Sequence, residues 1–146
     1  MTGVVRRKST TELLRDLKKT KQIDSFLDRN GEDLQNTRFA EEFRTVCYNQ
    51  KLKKAELARR CCVSEVYFHQ ILSGNRTPSR NRLLCMCLGM ELGAETTTQL
   101  LRACGYSELY PRDHRDAIIL HGILHHTSVQ EVNENLFENR EELILS

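Results

Sequence analysis

Apolar residues recur three or four positions apart along most of this chain, which is the spacing of one face of an α-helix. Ser9 and Ser128 each stand three residues before a glutamate, the arrangement of a capping box at a helix start. Gly105 follows an apolar stretch and is expected to end a helix. Only two prolines and seven glycines interrupt the 146 residues. The pattern therefore predicts an all-α fold.

Apolar spacing and helix-stop signals divide the chain into three predicted parts. These are an N-terminal helical arm, a central domain and a C-terminal helical extension packed on the core, at residues 1–36, 37–93 and 94–146. The arm is expected to end a helix at Asn30-Gly31 and either to pad the core or to offer a docking face. Asn36 or Thr37 is expected to cap the first helix of the central domain, and Gly93 to end its last one.

The C-terminal extension is expected to be buried at its most apolar positions. Residues 116–125 are apolar nearly all round, so Leu124 is predicted to lie inside. The helix that begins after Ser128 is predicted to contain the apolar residues Val129, Val132, Leu136 and Phe137. The apolar tail at residues 143–145 is predicted to dock on the rest of the protein.

Two short helices joined by a tight turn are predicted between Lys54 and Ser73. Their inner faces are formed by Leu57, Ala58 and Cys61 in the first helix and by Phe68, Ile71 and Leu72 in the second. Ser64 is expected to cap the second helix. Helices this short cannot each bury a face alone, so we expect them to cross, with the small side chain of Ala58 at the contact.

At these residues the chain resembles the phage-repressor or XRE type of helix-turn-helix DNA-binding protein. The shared residues, in the family's order and spacing, are Leu57-Ala58, Val63-Ser64, Ile71, Ser73-Gly74 and Pro78. The resemblance implies a five-helix repressor-type domain. The family usually has glycine in the turn, where φ is positive, and this chain has Cys62 there. The stretch from Gly105 to Ile119 is also similar to the C-terminal extension of some bacterial XRE-type regulators.

The resemblance implies that the second motif helix reads double-stranded DNA in the major groove. The side chains at the family's reading positions are Glu65, Val66, Tyr67 and Gln70. Gln70 can pair with adenine through two hydrogen bonds, Val66 can contact a thymine methyl group, and Glu65 can accept from cytosine N4. Two alternatives stay open: Glu65 can simply complement the helix dipole, and Tyr67 can bind a phosphate.

The distribution of charge agrees with a nucleic-acid partner. Residues 44–82 contain nine basic residues and two acidic ones, whereas residues 83–146 contain four basic and ten acidic ones. The first segment would attract a phosphate backbone. The side chains predicted to contact phosphates begin the first motif helix or flank the second: Lys54, Asn75, Arg76, Arg80 and Arg82.

Other chemistry has less support in the sequence. His121 and His125 have the i, i+4 spacing of a zinc-binding pair, but no acid or cysteine nearby completes a site. Cys61 and Cys62 could form a redox switch only with an activated thiolate. The six cysteines are mostly at apolar positions, and we expect reduced core residues. We therefore expect no catalytic residue, metal or cofactor, and a protein that is not an enzyme.

The sequence thus predicts a sequence-specific transcriptional regulator that binds double-stranded DNA as a repressor. It contains no apolar run of membrane-spanning length and no apolar signal-peptide core at its start, so we expect a cytoplasmic protein without a membrane partner. The alternative is a protein–protein interaction module on the same scaffold, favoured by Glu65, Cys62 and the acidic C-terminal third. A homodimer is also expected, with the C-terminal tail favoured over the N-terminal arm, and either extension could bind a protein partner.

Overall fold

The computed structural model describes residues 8–30 and 35–145. Within these ranges all regular structure is helical and no strand occurs, which confirms the predicted all-α class. The helices are α1 (Thr10–Lys19), α2 (Ile23–Asn30), α3 (Gln35–Tyr48), α4 (Lys54–Arg60), α5 (Glu65–Ser73), α6 (Arg80–Gly89), α7 (Ala94–Ala103), α8 (His114–Leu124) and α9 (Val129–Glu138). None of these helices has both the length and the apolar character needed to cross a bilayer.

Side-chain caps set several helix starts where the sequence predicts them. The hydroxyl of Ser9 accepts from the backbone N–H of Glu12 at 3.1 Å. The hydroxyl of Ser128 accepts in the same way from the N–H of Glu131 at 3.2 Å. The carboxylate of Asp113 caps α8, a start that we did not predict. Each cap satisfies a backbone donor that the helix itself leaves unpaired.

The predicted start of α3 is wrong. The helix begins at Gln35, so Asn36 and Thr37 lie in its first turn and do not cap it. A polar cap is a local preference of about 1 kcal/mol, which packing elsewhere in a helix can override. Gly31, predicted with Asn30 to end the preceding helix, lies outside the described residues.

The predicted end of the last helix in the central domain is also wrong. Helix α6 ends at Gly89, because Glu91 takes a left-handed conformation with φ of 54° and turns the chain. Gly93 is the residue before α7, with an ordinary φ of −71°, and does not end a helix. Residues 37–93 therefore contain most of α3 and all of α4 to α6, and a five-helix unit would also require α7.

Helix α6 lies at the centre of the molecule. All residues from Leu83 to Gly89 are buried, and the helix packs against α4, α7, α8 and α9. On one side of the same core, the ring of Phe43 packs 5.5 Å from Phe39 and 5.8 Å from Phe68. Residues from α3 through the tail thus share one hydrophobic core. Helices α7, α8 and α9 and the tail all contribute residues to that core.

The C-terminal tail docks on its own chain. Ile144 is 4% exposed and belongs to the core. The side chain of Asn133 holds the tail, because its oxygen accepts from the N–H of Ile144 at 3.0 Å and its amide donates to the Leu145 carbonyl at 2.7 Å. The prediction that the tail docks is confirmed. Ile144 of this tail completes the core of its own chain, and the expected dimer contact of the tail stays a prediction.

Apolar side chains are exposed on both helices of the extension. Leu124 is 59% exposed at the end of α8, and Phe137 is 73% exposed on α9. The prediction that Leu124 lies inside is wrong. Helix α8 buries Ile119 and Ile123, and α9 buries Leu136. Each helix thus packs against the core through one face, and the other face stays exposed.

The N-terminal arm is a pair of helices, α1 and α2, packed against each other. Phe26 and Asn30 are buried in it, and the Asn30 amide donates to the Asp16 carboxylate at 2.6 Å. Neither residue belongs to the core shared by α3 to the tail. Leu14 and Leu17 are 51% and 43% exposed, so the arm keeps an apolar face that its own chain does not cover.

All six cysteines are free, and Cys61, Cys85 and Cys87 are fully buried. The prediction of cysteines at apolar core positions is confirmed for these three. Burial raises the pKa of Cys85 and of Cys87 to about 12, from an ordinary value of 9.0. These thiols therefore stay protonated in the folded protein well above neutral pH.

The free energy of unfolding is expected to fall as pH rises from 9 to 10, at up to about 1.4 kcal/mol per pH unit for each buried thiol. Unfolded thiols lose their protons above their ordinary pKa, while Cys85 and Cys87 keep theirs until about 12. The stabilisation is complete below pH 9 and is lost progressively between pH 9 and about pH 12, of which the interval from 9 to 10 is the first part. Urea unfolding under reducing conditions at each pH measures it. Cys87→Ala should give a shallower slope, and an unchanged slope would contradict the assignment.

Candidate nucleic-acid interface

The turn between α4 and α5 has a defined shape. Cys62 adopts a φ of 59°, which is the left-handed conformation expected where the resembling family has glycine. The N–H of Val63 donates to the carbonyl of Ala58 at 3.0 Å and closes the turn. Ala58 is 1% exposed, at the contact between the two helices. Gln130 of α9 donates to the Cys62 sulfur at 3.3 Å and ties the turn to the C-terminal extension.

Helix α5 begins and ends as its sequence predicts. The hydroxyl of Ser64 accepts from the backbone N–H of Tyr67 at 3.0 Å. Gly74 ends the helix in the left-handed conformation, with φ of 82°. Phe68 and Ile71 are fully buried and anchor the helix to the core. The opposite side of α5 therefore faces outward in a fixed orientation.

That outward side contains the predicted base-reading residues. Glu65 is exposed in the first turn and Val66 is 68% exposed beside it. Tyr67 and Gln70 are half-buried along one edge of the helix. The structure thus brings together the four residues that the sequence singled out for base contact, although it contains no DNA to test the contacts.

Two arginines bracket Tyr67. The guanidinium of Arg76 lies 5.1 Å from the centre of the tyrosine ring, and that of Arg82 lies 5.4 Å from it. Arg76 also donates to the side-chain oxygen of Gln70 at 3.2 Å. We call Tyr67, Gln70, Arg76 and Arg82 the Tyr67 cluster. Burial raises the pKa of Tyr67, so its hydroxyl stays protonated at neutral pH and can donate a hydrogen bond.

Arg80 does not join this cluster. Its guanidinium lies 3.4 Å from the carboxylate of Asp116 on α8 and donates to the carbonyl of Ser107 at 3.1 Å. Its side chain is only 23% exposed. Among the residues predicted to contact phosphate, Arg80 is thus the one with an internal carboxylate partner. The contact joins the start of α6 to the C-terminal extension.

The other predicted phosphate contacts are accessible. Lys54 is exposed at the start of α4, and Asn75 and Arg76 are exposed in the segment after α5. Arg82 is exposed near the start of α6. In the described part of the chain, none of these cations forms an ion pair with a carboxylate. Their charge is therefore available to a phosphate backbone.

Charge elsewhere in the basic segment is partly neutralised. Glu56 accepts from both Arg59 and Arg60 on α4, and these hydrogen bonds lower the pKa of Glu56 to about 2. The three side chains form an exposed ion-paired group at neutral pH. Arg44 instead donates to the carbonyl of Leu72 at the end of α5. The net positive field next to α5 thus comes mainly from the lysines before α4 and from the Tyr67 cluster.

The sequence analysis did not identify three residues that shape this surface. His69 is exposed on α5, one turn after Glu65, and helical periodicity could have placed it there. Tyr106 donates from its hydroxyl to the carbonyl of Pro78 at 2.7 Å and fixes the segment that follows α5. Asp116 holds Arg80. No sequence signal marks the last two contacts, because they join residues about thirty positions apart.

The alternative chemical sites remain incomplete. The rings of His121 and His125 lie 4.2 Å apart on α8, but no group of three or more metal-binding side chains occurs in the part of the chain that the structure describes. A zinc site needs three or four protein ligands. Burial raises the pKa of Cys62, which disfavours the reactive thiolate that a redox switch requires.

The described surface is therefore a short helix, α5, with an outward face of mixed polarity and a cationic edge. Its turn, cap and neighbouring arginines are held by contacts within the chain. A function for this surface has to be argued from these contacts. Comparison with protein-family models, with curated proteins and with solved structures finds no match to this chain.

Proposed function

We propose that this chain is a sequence-specific transcriptional regulator that binds double-stranded DNA through a helix-turn-helix unit, α4 and α5, in the cytoplasm. The observation that carries the proposal is the outward face of α5 with Arg76 and Arg82 beside it, both without a carboxylate partner in the described chain. Backbone contacts by such cations position a reading helix on a duplex. The assignment as a repressor comes from the resemblance of Lys54–Ser73 to phage repressors.

The arrangement around the proposed reading helix supports a five-helix repressor-type core made of α3 to α7. Helix α5 packs against both α3 and α4, and α7 packs against α3 and α6. The left-handed turn at Cys62 keeps α4 and α5 close. In this proposal α5 enters the major groove with its N-terminal end foremost.

Individual roles follow from position. Val66 and Gln70 read bases, and Lys54, Asn75 and Arg82 contact phosphates. Glu65, at the start of α5, accepts from cytosine N4 or complements the helix dipole. Arg76 supports Gln70 through their hydrogen bond, and Tyr67 keeps both cluster arginines in place. Arg80 acts indirectly, since its contact with Asp116 holds the segment between α5 and α6.

A second function, a protein–protein interaction module on the same scaffold, is favoured by one observation. The apolar Val66 is 68% exposed on the outward face of α5, and the acidic Glu65 lies next to it. An acid at this place repels phosphates, whereas an apolar residue with an acidic neighbour suits a protein surface. The two functions predict different outcomes in one experiment.

Selection of bound sequences from a random double-stranded DNA pool distinguishes them. A DNA-binding regulator is expected to enrich one motif, with specific binding typically about 10³-fold or more tighter than binding to random sequence. A protein-interaction module is expected to enrich none. If the protein keeps its helical content and enriches no motif from the pool, the proposed function is refuted.

Gln70→Ala is expected to weaken binding to the preferred site by about 1–3 kcal/mol and to change binding to random DNA much less. The reason is that a base-reading side chain contributes only when its base is present. Titration of labelled duplexes with both sequences measures the ratio. An unchanged ratio of specific to random affinity would mean that Gln70 does not read a base.

Arg82→Ala is the matched control for phosphate contact. Arg76 forms a hydrogen bond with Gln70, whereas Arg82 is exposed and forms none with it. Removing Arg82 therefore tests the charge without disturbing Gln70. Binding should weaken by about the same factor on all sequences. A sequence-dependent loss with Arg82→Ala would place Arg82 among the base-reading residues.

A further inference from the structure

A shallow groove of about 350 Å³ lies between α9 and the C-terminal tail. Its apolar lining includes Phe137, which is 73% exposed, and the flanking tail residues Leu143 and Leu145. Ile144, between them, points into the core. The extended tail therefore buries one residue and presents its two neighbours to the groove.

The rim of this groove is acidic. Glu134 and Glu138 are exposed on α9 and line it. Residues 128–146 contain five acidic residues and a single arginine. An occupant of complementary chemistry would have an apolar stripe flanked by basic side chains.

Helix α1 has that chemistry. Leu14 and Leu17 are 51% and 43% exposed and are three residues apart, so they share one face of the helix. The exposed Arg15, Lys18 and Lys19 lie beside them. The only acid between Leu14 and Lys19, Asp16, is already bound by Arg29 at 2.9 Å.

The size of the groove suits this occupant. A cavity of about 150 Å³ accommodates one benzene ring. A volume of about 350 Å³ therefore has room for two leucine side chains. Leu14 and Leu17 supply two, from adjacent turns of one helix.

We propose that the α1 face of one chain docks in the α9–tail groove of a second copy. Within residues 8–30 and 35–145, Leu14 and Leu17 on α1 and Phe137 in the groove all remain exposed. Only residues 31–34 separate α2 from α3, a connection that spans about 18 Å at most between Asn30 and Gln35. This short connection keeps the arm close to α3, which packs on α5 and α7. The groove lies instead on α9, which packs on α6 and α8. Two equivalent contacts, arm to groove and groove to arm, form a closed two-fold dimer.

Sedimentation velocity of the full chain, from about 1 to about 100 µM at low salt, tests the dimer without DNA. Wild type is expected to form a dimer with rising concentration. Leu17→Asp and Phe137→Asp should each weaken the dimer at least about tenfold. Both side chains are exposed, so circular dichroism should stay at the wild-type level. Leu124→Asp, exposed on α8 outside the groove, is the control and should dimerise like wild type.

Charge exchange identifies which surfaces meet. One chain carries Arg15→Glu with Lys18→Glu, and a second chain carries Glu134→Lys with Glu138→Lys. Each alone should fail to dimerise, because arm and groove then have the same charge. Their mixture should form a heterodimer, in which both contacts are again complementary.

Three results would overturn the proposal. They are a wild-type chain that stays monomeric at the highest concentration, a dimer that survives Phe137→Asp, and a groove-reversed chain that dimerises by itself. The first would mean that the arm docks on its own chain or on another protein. The last would mean that two arms contact each other. None of these results bears on DNA binding, so the dimer and the proposed function can fail separately.

Discussion

DNA affinity is expected to fall about 250- to 1,000-fold when the salt concentration rises from about 50 to about 200 mM. Binding to a duplex releases counterions from each phosphate that a cation neutralises. About four to six phosphate contacts per chain give a slope of log affinity against log salt of about −4 to −5. In the proposed function these contacts come from Lys54 and Arg82 and from the exposed cations near them, all without a carboxylate partner among the described residues: Lys51, Lys53 and Arg76.

Titrating a labelled duplex at several salt concentrations measures this slope. Lys54→Ala should make it shallower by about one phosphate contact. Arg102→Ala is the control, because Arg102 is an exposed arginine on α7 that is paired with Glu108 at 3.2 Å. It should leave the slope unchanged. Binding that does not respond to salt, or no binding at low salt, would favour the protein-interaction function.

Gly89→Ala is expected to destabilise the fold by about 3 kcal/mol. A Cβ atom at Gly89 would lie 2.6 Å from the backbone carbonyl of Arg60 and from the backbone nitrogen of Cys61. These backbone atoms end α4, so α4 and α6 would have to separate. Alanine favours a helix over glycine by about 1 kcal/mol, which offsets only part of the cost.

Urea unfolding of the wild type and of Gly89→Ala measures the difference in their free energies of unfolding. Gly93→Ala is the control, because no atom lies within 4 Å of a Cβ there and its φ of −71° suits alanine. We expect its effect to be below about 1 kcal/mol. A Gly89→Ala protein as stable as wild type would mean that α4 and α6 pack farther apart than described. Because α5 follows α4 directly, Gly89→Ala should also weaken DNA binding.

Local features of the fold followed from the sequence because they depend on neighbouring residues. The caps at Ser9, Ser64 and Ser128 satisfy donors three positions away. Gly74 and Gly105 have the positive φ values expected at helix ends. Such interactions are complete within one turn of chain, so their sequence signals are specific.

Predictions that depended on a neighbour were less successful. The apolar spacing of residues 116–125 predicted that Leu124 lies inside, whereas it is 59% exposed. The spacing of apolar residues shows which side of a helix is apolar. It does not show how much of that side a neighbouring helix covers. The same reasoning explains why Phe137 on α9 is 73% exposed although its neighbour Leu136 is buried.

The candidate interface shows the same division. Phe68 and Ile71 determine which side of α5 faces outward, and the sequence alone was sufficient to place Glu65, Val66 and Gln70 there. It assigned Arg80 to phosphate by its position after α5. The partner of Arg80, Asp116, is 36 residues away, and nothing local marks that pairing.

The sequence by itself thus determined the helical class, the helix caps and the outward face of α5. These depend on hydrogen bonds and side-chain periods within a few residues. Only the tertiary structure decided which cations keep their charge exposed, that the tail completes the core, and that α1 and the α9 groove stay uncovered. Those outcomes depend on which distant surfaces meet, and a linear pattern of apolar and polar residues does not contain that information.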